Sequence, residues 1–143
     1  MTTKTPVTAD ALNKFAGGYL PALLGIEVSH VGVGEVACEM RVNRAVLAPN
    51  GYLHAGSVVS LADTAAGYGC LANLPEGAHS FTTIELKSNH IGTAREGVVI
   101  CLARLEHGGR STQVWDATVV HRDTGKTIAL FRCTQMLLHS QAA

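Results

Sequence analysis

Between Glu39 and Glu76 the chain carries a single acidic residue, Asp63, set in its most apolar segment. Aspartate is a poor helix former, and burying its charge is costly unless a partner offsets the loss of water. A carboxylate in that position has two readings. It can hydrogen-bond to backbone or serine and hold an interface together, or it can act from an apolar pocket as a base or nucleophile. His54 stands nine residues earlier, at the head of the same segment. The run Asn50-Gly51-Tyr52-Leu53-His54-Ala55-Gly56 places free backbone N–H groups at the positive end of a helix. Such amides polarise a carbonyl or hold an oxyanion. Nine helical residues measure about 13 Å, however, too far to serve one small carbonyl. Two such helices, antiparallel across a dimer axis, bring the amides of one chain to the carboxylate of the other.

The elements that must position these groups follow from the hydrophobic pattern. From His54 to Ala72 hardly any polar face remains, which predicts a buried helix. Gly56, Ser60, Asp63 and Gly67 share one strip of it by helical spacing, flanked by Ser57 and Thr64. Upstream, Thr8 caps a short helix that runs to Phe15, with Leu12, Phe15 and Ala16 as its apolar stripe and Gly17, Gly18 and Pro21 as its end. Ile26 and Val28, then Val36, Cys38, Met40 and Val42, alternate with polar residues around Gly32-Val33-Gly34 and predict a half-buried hairpin. That Gly-x-Gly lacks a third glycine and a following helix, so it is a turn and not a dinucleotide loop. Four extended runs follow, at about Ser80–Ile91, Val98–His107, Ser111–Arg122 and Lys126–Leu138. Gly108-Gly109 and Asp123-Thr124-Gly125 join the last three as hairpins, which forces antiparallel neighbours. The order α-β-β-α-β-β-β-β predicts an α+β chain in which an antiparallel sheet curls around the buried helix. A second copy is the economical cover for the rest of that helix.

Composition narrows the function. The 143 residues fit one domain spanning 1–143. With 47% apolar and only 15% charged residues, disorder is excluded, and so few charges suggest a surface covered by another copy. Eleven cations balance eleven anions with no basic run, which argues against nucleic acid. No uninterrupted apolar span suggests a membrane helix, and the first residues lack the apolar core of a signal peptide, so a cytoplasmic protein is expected. Cys38, Cys70, Cys101 and Cys133 sit singly among apolar residues, as small core hydrophobes. No metal-ligand set is visible, and the Gly-x-Ser-x-Gly of serine hydrolases is absent.

Leu53-His54-Ala55-Gly56 followed by Leu61-Ala62-Asp63-Thr64-Ala65 resembles the signature of hotdog-fold acyl-CoA thioesterases, and most of all the phenylacetate-degradation and 4-hydroxybenzoyl-CoA type. The resemblance runs from about Leu24 to Leu138 and rests on the order and spacing of the pieces. It implies a hotdog fold, a six-stranded antiparallel sheet wrapped around one long helix, in a dimer that pairs again into a tetramer. It implies hydrolysis of an acyl-CoA to free acid and CoA, with no cofactor beyond the CoA of the substrate. Asp63 would attack the thioester or activate water, the amide of Ala55 or Gly56 would bind the thioester oxygen, and His54 would shape that end of the site. Thr83, on the strand after the helix, matches a hydroxyl that helps place the water. The coenzyme would pass Arg95, Arg110, Ser111 and Thr112, with Asn89 and His90 near its path.

Two departures stand out. The family usually has a second glycine where Ala55 stands, and an Asn or Gln six residues before the histidine, where this chain has Ala48. Asn50, four residues before His54, either takes over that role or only makes the Asn-Gly turn. His30, His79, His107, His121 and His139 have no acid at fixed spacing. Two rival functions remain at this level. A hotdog hydratase or dehydratase would pair its acid with a histidine about five residues away, which Asp63 lacks. A non-catalytic acyl-CoA-binding module would not need Asp63.

Overall fold

A computed structural model describes residues 5–141. The chain begins with α1 (Ala9–Phe15) and α2 (Leu20–Leu23), then the hairpin β1 (Ile26–Gly32) and β2 (Glu35–Arg41). A 3-10 turn (Arg44–Val46) leads to α3 (Ala55–Ala72), and β3 (Ala78–His90), β4 (Val98–Gly108), β5 (Thr112–His121) and β6 (Thr127–His139) complete the fold. All six strands form one sheet in the order β1-β2-β4-β5-β6-β3, antiparallel throughout. The sheet curls so far that α3 touches every strand. This is the hotdog architecture that the resemblance implies. Among the described residues, no helix is long and apolar enough to cross a membrane.

The core lies between α3 and the concave face of the sheet. Trp115 and Met40 are fully buried there with Leu61, Ala62, Ala65 and Ala66 of the helix. The small residues of α3 set its approach. A Cβ on Gly69 would lie 2.5 Å from the Trp115 ring, and one on Gly67 would lie 3.0 Å from Phe81. The four cysteines are free and buried. Cys38 and Cys101 face each other in register across β2 and β4, and burial pushes the Cys38 thiol up to about 12.

Several local expectations are corrected. Pro21 does not end the first helix. Ala16 caps α1, and Pro21 sits in the first turn of α2, where its missing N–H costs nothing. Phe15 does not join the apolar stripe. The Asn13 side chain bonds both backbone groups of Val28, which turns Leu12 and Ala16 into the core and leaves Phe15 exposed. α3 starts at Ala55 rather than His54, because His54 is extended and serves as the N-cap. The expectation that the sheet covers α3 only in part holds within one chain. His54, Ala55 and Gly56 are exposed, and Ser60, Asp63 and Thr64 are half-buried. The uncovered strip ends at Gly67, which Phe81 roofs over. Beside it, β3 is an outer strand with no partner on its far edge among the described residues, and it carries exposed Ile84 and Leu86.

Candidate active site

The head of α3 is fixed before the helix begins. A bridge between Leu47 and Leu53 closes the loop, and the Leu53 N–H donates to the Ala94 carbonyl in the segment before β4. The Val46 carbonyl accepts from the His54 N–H and from the Ser57 hydroxyl. His54 then spends its own acceptors on the helix. Its carbonyl takes the N–H groups of Ser57 and Val58, and its Nδ1 takes that of Gly56 at 2.7 Å. A neutral ring accepting at Nδ1 carries its proton on Nε2. Ala55 is left as the residue of the first turn whose N–H has no acceptor among the described residues, and it is exposed. Of the two amides that the sequence offered, Ala55 is therefore the one free to meet a ligand oxygen at the positive end of α3.

Asp63 lies on the uncovered strip of the same helix. Its Oδ1 is buried and has no hydrogen-bond partner in the described structure. Burial raises its pKa above the ordinary 3.8, because the charged form loses water without gaining a donor. The serines of the helix do not supply one. Ser57 donates to Val46 and Ser60 donates to Gly56, each to a backbone carbonyl. Within one chain Asp63 is thus a carboxylate with raised basicity and an open side, suited to taking a proton.

The other candidates fall into three places. At the head of α3, the Arg95 guanidinium stacks over the Tyr52 ring at 4.9 Å from its centroid. Asn50 bonds the Tyr52 N–H through Oδ1, making the turn of the same loop. Beyond the tail of α3, Arg110 and Ser111 line a hollow with Glu76, Gly77, His139 and Ser140, and Thr112 closes the adjoining turn by accepting from the Gly109 N–H. On the convex face of the sheet, Asn89 lines a groove with Lys87, Asp116 and Arg132, away from the helix. His90 is exposed at the end of β3. Arg95 and Arg110 are therefore at opposite ends of α3, about 27 Å long by its 18 residues. Thr83 is half-buried in β3 and donates its hydroxyl proton to Gln135 Oε1 at 2.7 Å.

Sequence reasoning passed over Tyr52 and the buried glutamines. Gln113 is 1% exposed and links the Trp115 indole to the Asn73 carbonyl at the tail of α3. Gln135 is 0% exposed on β6. A signal existed for it: Phe131, Cys133, Gln135 and Leu137 alternate onto the core face, and an amide in that series needs a reason.

Residues 50–128 match the model of the thioesterase superfamily. The chain is 34% identical over 115 residues to a 1,4-dihydroxy-2-naphthoyl-CoA hydrolase of Listeria monocytogenes, covering 80% of this chain and 92% of that one. It is 31% identical over 141 residues to the 1,4-dihydroxy-2-naphthoyl-CoA hydrolase of Escherichia coli, covering 96% and 100%. A crystal structure of a glutamine-to-alanine variant of thioesterase PA1618 from Pseudomonas aeruginosa superposes with a TM-score of 0.90 at 27% identity, over 96% of this chain and 98% of that one.

Proposed function

The chain belongs to the thioesterase superfamily and is a thioester hydrolase, and from that premise we propose that it hydrolyses an acyl-CoA with Asp63 as the group that activates water. The observation that carries this reading is the unpartnered, buried Oδ1 of Asp63 on the open strip of an otherwise apolar helix. Ala55 supplies the second half of the chemistry. Its N–H holds the thioester oxygen as negative charge develops there. Water attacks the carbonyl carbon while Asp63 takes its proton, and the tetrahedral intermediate keeps its charge against the Ala55 amide. Collapse breaks the C–S bond, and the leaving sulfur recovers the proton from Asp63, giving acid and CoA. Direct attack by Asp63 would instead form a mixed anhydride with loss of the CoA thiolate, and water would then cleave it.

The site is completed by a second copy. The Ala55 amide and Asp63 are eight residues of helix apart, about 12 Å along its axis, so one chain does not bring both to one carbonyl. Two α3 helices packed antiparallel along their open strips set the head of one beside the middle and tail of the other. The same pairing brings Arg95 of one chain and the partner's Arg110 to one site, as a long coenzyme requires. The outer edge of β3, with Ile84 and Leu86, continues that contact. Pairing of two such dimers gives the tetramer, and the cytoplasm is its place of action.

The acyl group is proposed to be aromatic, as in the names of the two hydrolase relatives. The test is thiol release from benzoyl-CoA, 1,4-dihydroxy-2-naphthoyl-CoA and hexanoyl-CoA by the wild type and by Asp63→Asn. The reading expects a folded oligomer of the variant with similar KM and kcat lower by about 10²-fold or more. Retained activity in a folded variant moves the chemistry off Asp63. Tight binding with no thiol release from any ester by the wild type favours the binding module.

A further inference from the structure

Thr83 and Gln135 are register partners across β3 and β6, and their side chains meet on one face of the sheet. The two strands run back along the helix from its tail. Ala78 and Leu137 pack with Cys70, and Phe81 lies against Gly67. The next positions on the same face are therefore Thr83 and Gln135, and then Cys133. Asp63 lies four residues before Gly67 on the same strip of α3, one helical turn back toward its head, which sets it over this part of the sheet. The register shifts immediately after Thr83, between Thr83 and Glu85, which is where a bulge re-aims a side chain.

Gln135 is an expensive residue to place there. A fully buried amide must be bonded on both sides to offset its lost water. Its oxygen accepts from the Thr83 hydroxyl at 2.7 Å, but among the described residues its nitrogen meets only Cys133 Sγ at 3.5 Å, a weak acceptor. A methionine would fill the same volume without that deficit. Packing does not explain the glutamine; the hydrogen bond to Thr83 does.

We propose that Gln135 is a positioning residue for hydrolysis, which holds the Thr83 hydroxyl with its proton turned away from Asp63 and its lone pairs toward the attacking water. A threonine hydroxyl has one proton to give and two lone pairs. With the proton committed to Gln135 Oε1, Thr83 can only accept from the side of Asp63. Water then donates one hydrogen to Asp63 and the other to Thr83, and a lone pair of its oxygen faces the thioester carbon. Without Gln135 the hydroxyl would turn and donate to the Asp63 carboxylate, blocking the base with the group meant to place its water. The inference rests on Asp63 acting as general base.

The test is a double-mutant cycle on benzoyl-CoA hydrolysis with Thr83→Val, Gln135→Met and the double variant, each checked for fold by near-UV circular dichroism. Expected are a kcat lower by about tenfold in each single variant, the rate equivalent of one hydrogen bond, and KM unchanged. The double variant should be no slower than Thr83→Val, since both act through one hydroxyl. Thr83→Ser, which keeps the hydroxyl, should restore most of kcat in the presence of Gln135 and not beside Met at 135. Full kcat in Gln135→Met with a slow Thr83→Val overturns the proposal and leaves Asp63 as the base. Additive losses overturn it too. If neither Gln135→Met nor Gln135→Leu folds, the amide is structural and the proposal fails. Full kcat in both single variants removes Thr83 from the site, while an active Asp63→Asn removes the underlying reading instead.

Discussion

His54 Nδ1 accepts the Gly56 N–H at 2.7 Å, and that bond leaves the N–H of Ala55 alone at the head of α3. The histidine thus selects which amide faces a ligand. It also makes that amide separable from the helix. Ala55 is the first helical residue, where proline is well tolerated, and His54 already has the extended backbone that precedes a proline. Ala55→Pro should delete one N–H and little else. The expected result is a folded oligomer with kcat lower by about 10²–10³-fold, as for loss of one oxyanion donor. A folded Ala55→Pro with wild-type kcat, measured by thiol release, would place the thioester oxygen elsewhere.

The stacking of Arg95 on Tyr52 leaves the edge of the guanidinium free for phosphate oxygens, while Arg110 sits in the hollow beyond the other end of α3. Contacts to a distant part of the substrate contribute uniform binding. Arg95→Ala and Arg110→Ala should each raise KM by about tenfold with kcat little changed, and added salt should act in the same direction but less. An unchanged KM for either variant would take that arginine off the coenzyme path.

Gly69 faces the Trp115 ring so closely that a methyl group would fall 2.5 Å from it. Both are buried, and the ring is held by its indole bond to Gln113. Relief would require moving α3 off the sheet. Gly69→Ala is therefore expected to destabilise the fold by about 1–3 kcal/mol, the usual range for overpacking. Urea melts would read this as a lower midpoint at unchanged slope.

Much of this fold was legible because its signals are local. Alternation at Val36–Val42 and the turns at Gly108-Gly109 and Asp123-Thr124-Gly125 specify strands and hairpins whatever else the chain does. Asp63 stood out because an acid in an apolar helix is a local contradiction. What stayed hidden depends on partners far along the chain. Phe15 is turned outward by Asn13 bonding to Val28, a contact fifteen residues away. Tyr52 finds Arg95, and Thr83 finds Gln135, only after the sheet has closed in the order that sets β3 beside β6. The choice between the Ala55 and Gly56 amides turned on the rotamer of His54, which no spacing encodes.

Burial raises the pKa of Asp63 in the folded chain above its ordinary 3.8, and this fixes the sign of two pH effects. The unfolded chain loses this proton first as pH rises. Between the unfolded and folded values it therefore binds fewer protons than the native state, and stability falls with rising pH across that window. Below the window both states are protonated and there is no penalty; above it the full penalty remains. Asp63→Asn has no such group. It should match the wild type in thermal melts below about pH 3 and exceed it in Tm at neutral pH. Activity runs the other way, because only the ionised carboxylate takes a proton from water. The acid limb of the wild-type kcat profile should lie above the range of an ordinary aspartate. A variant less stable than the wild type at neutral pH would mean that the carboxylate finds a stabilising donor across the subunit contact, and that Asp63 holds the interface rather than the water.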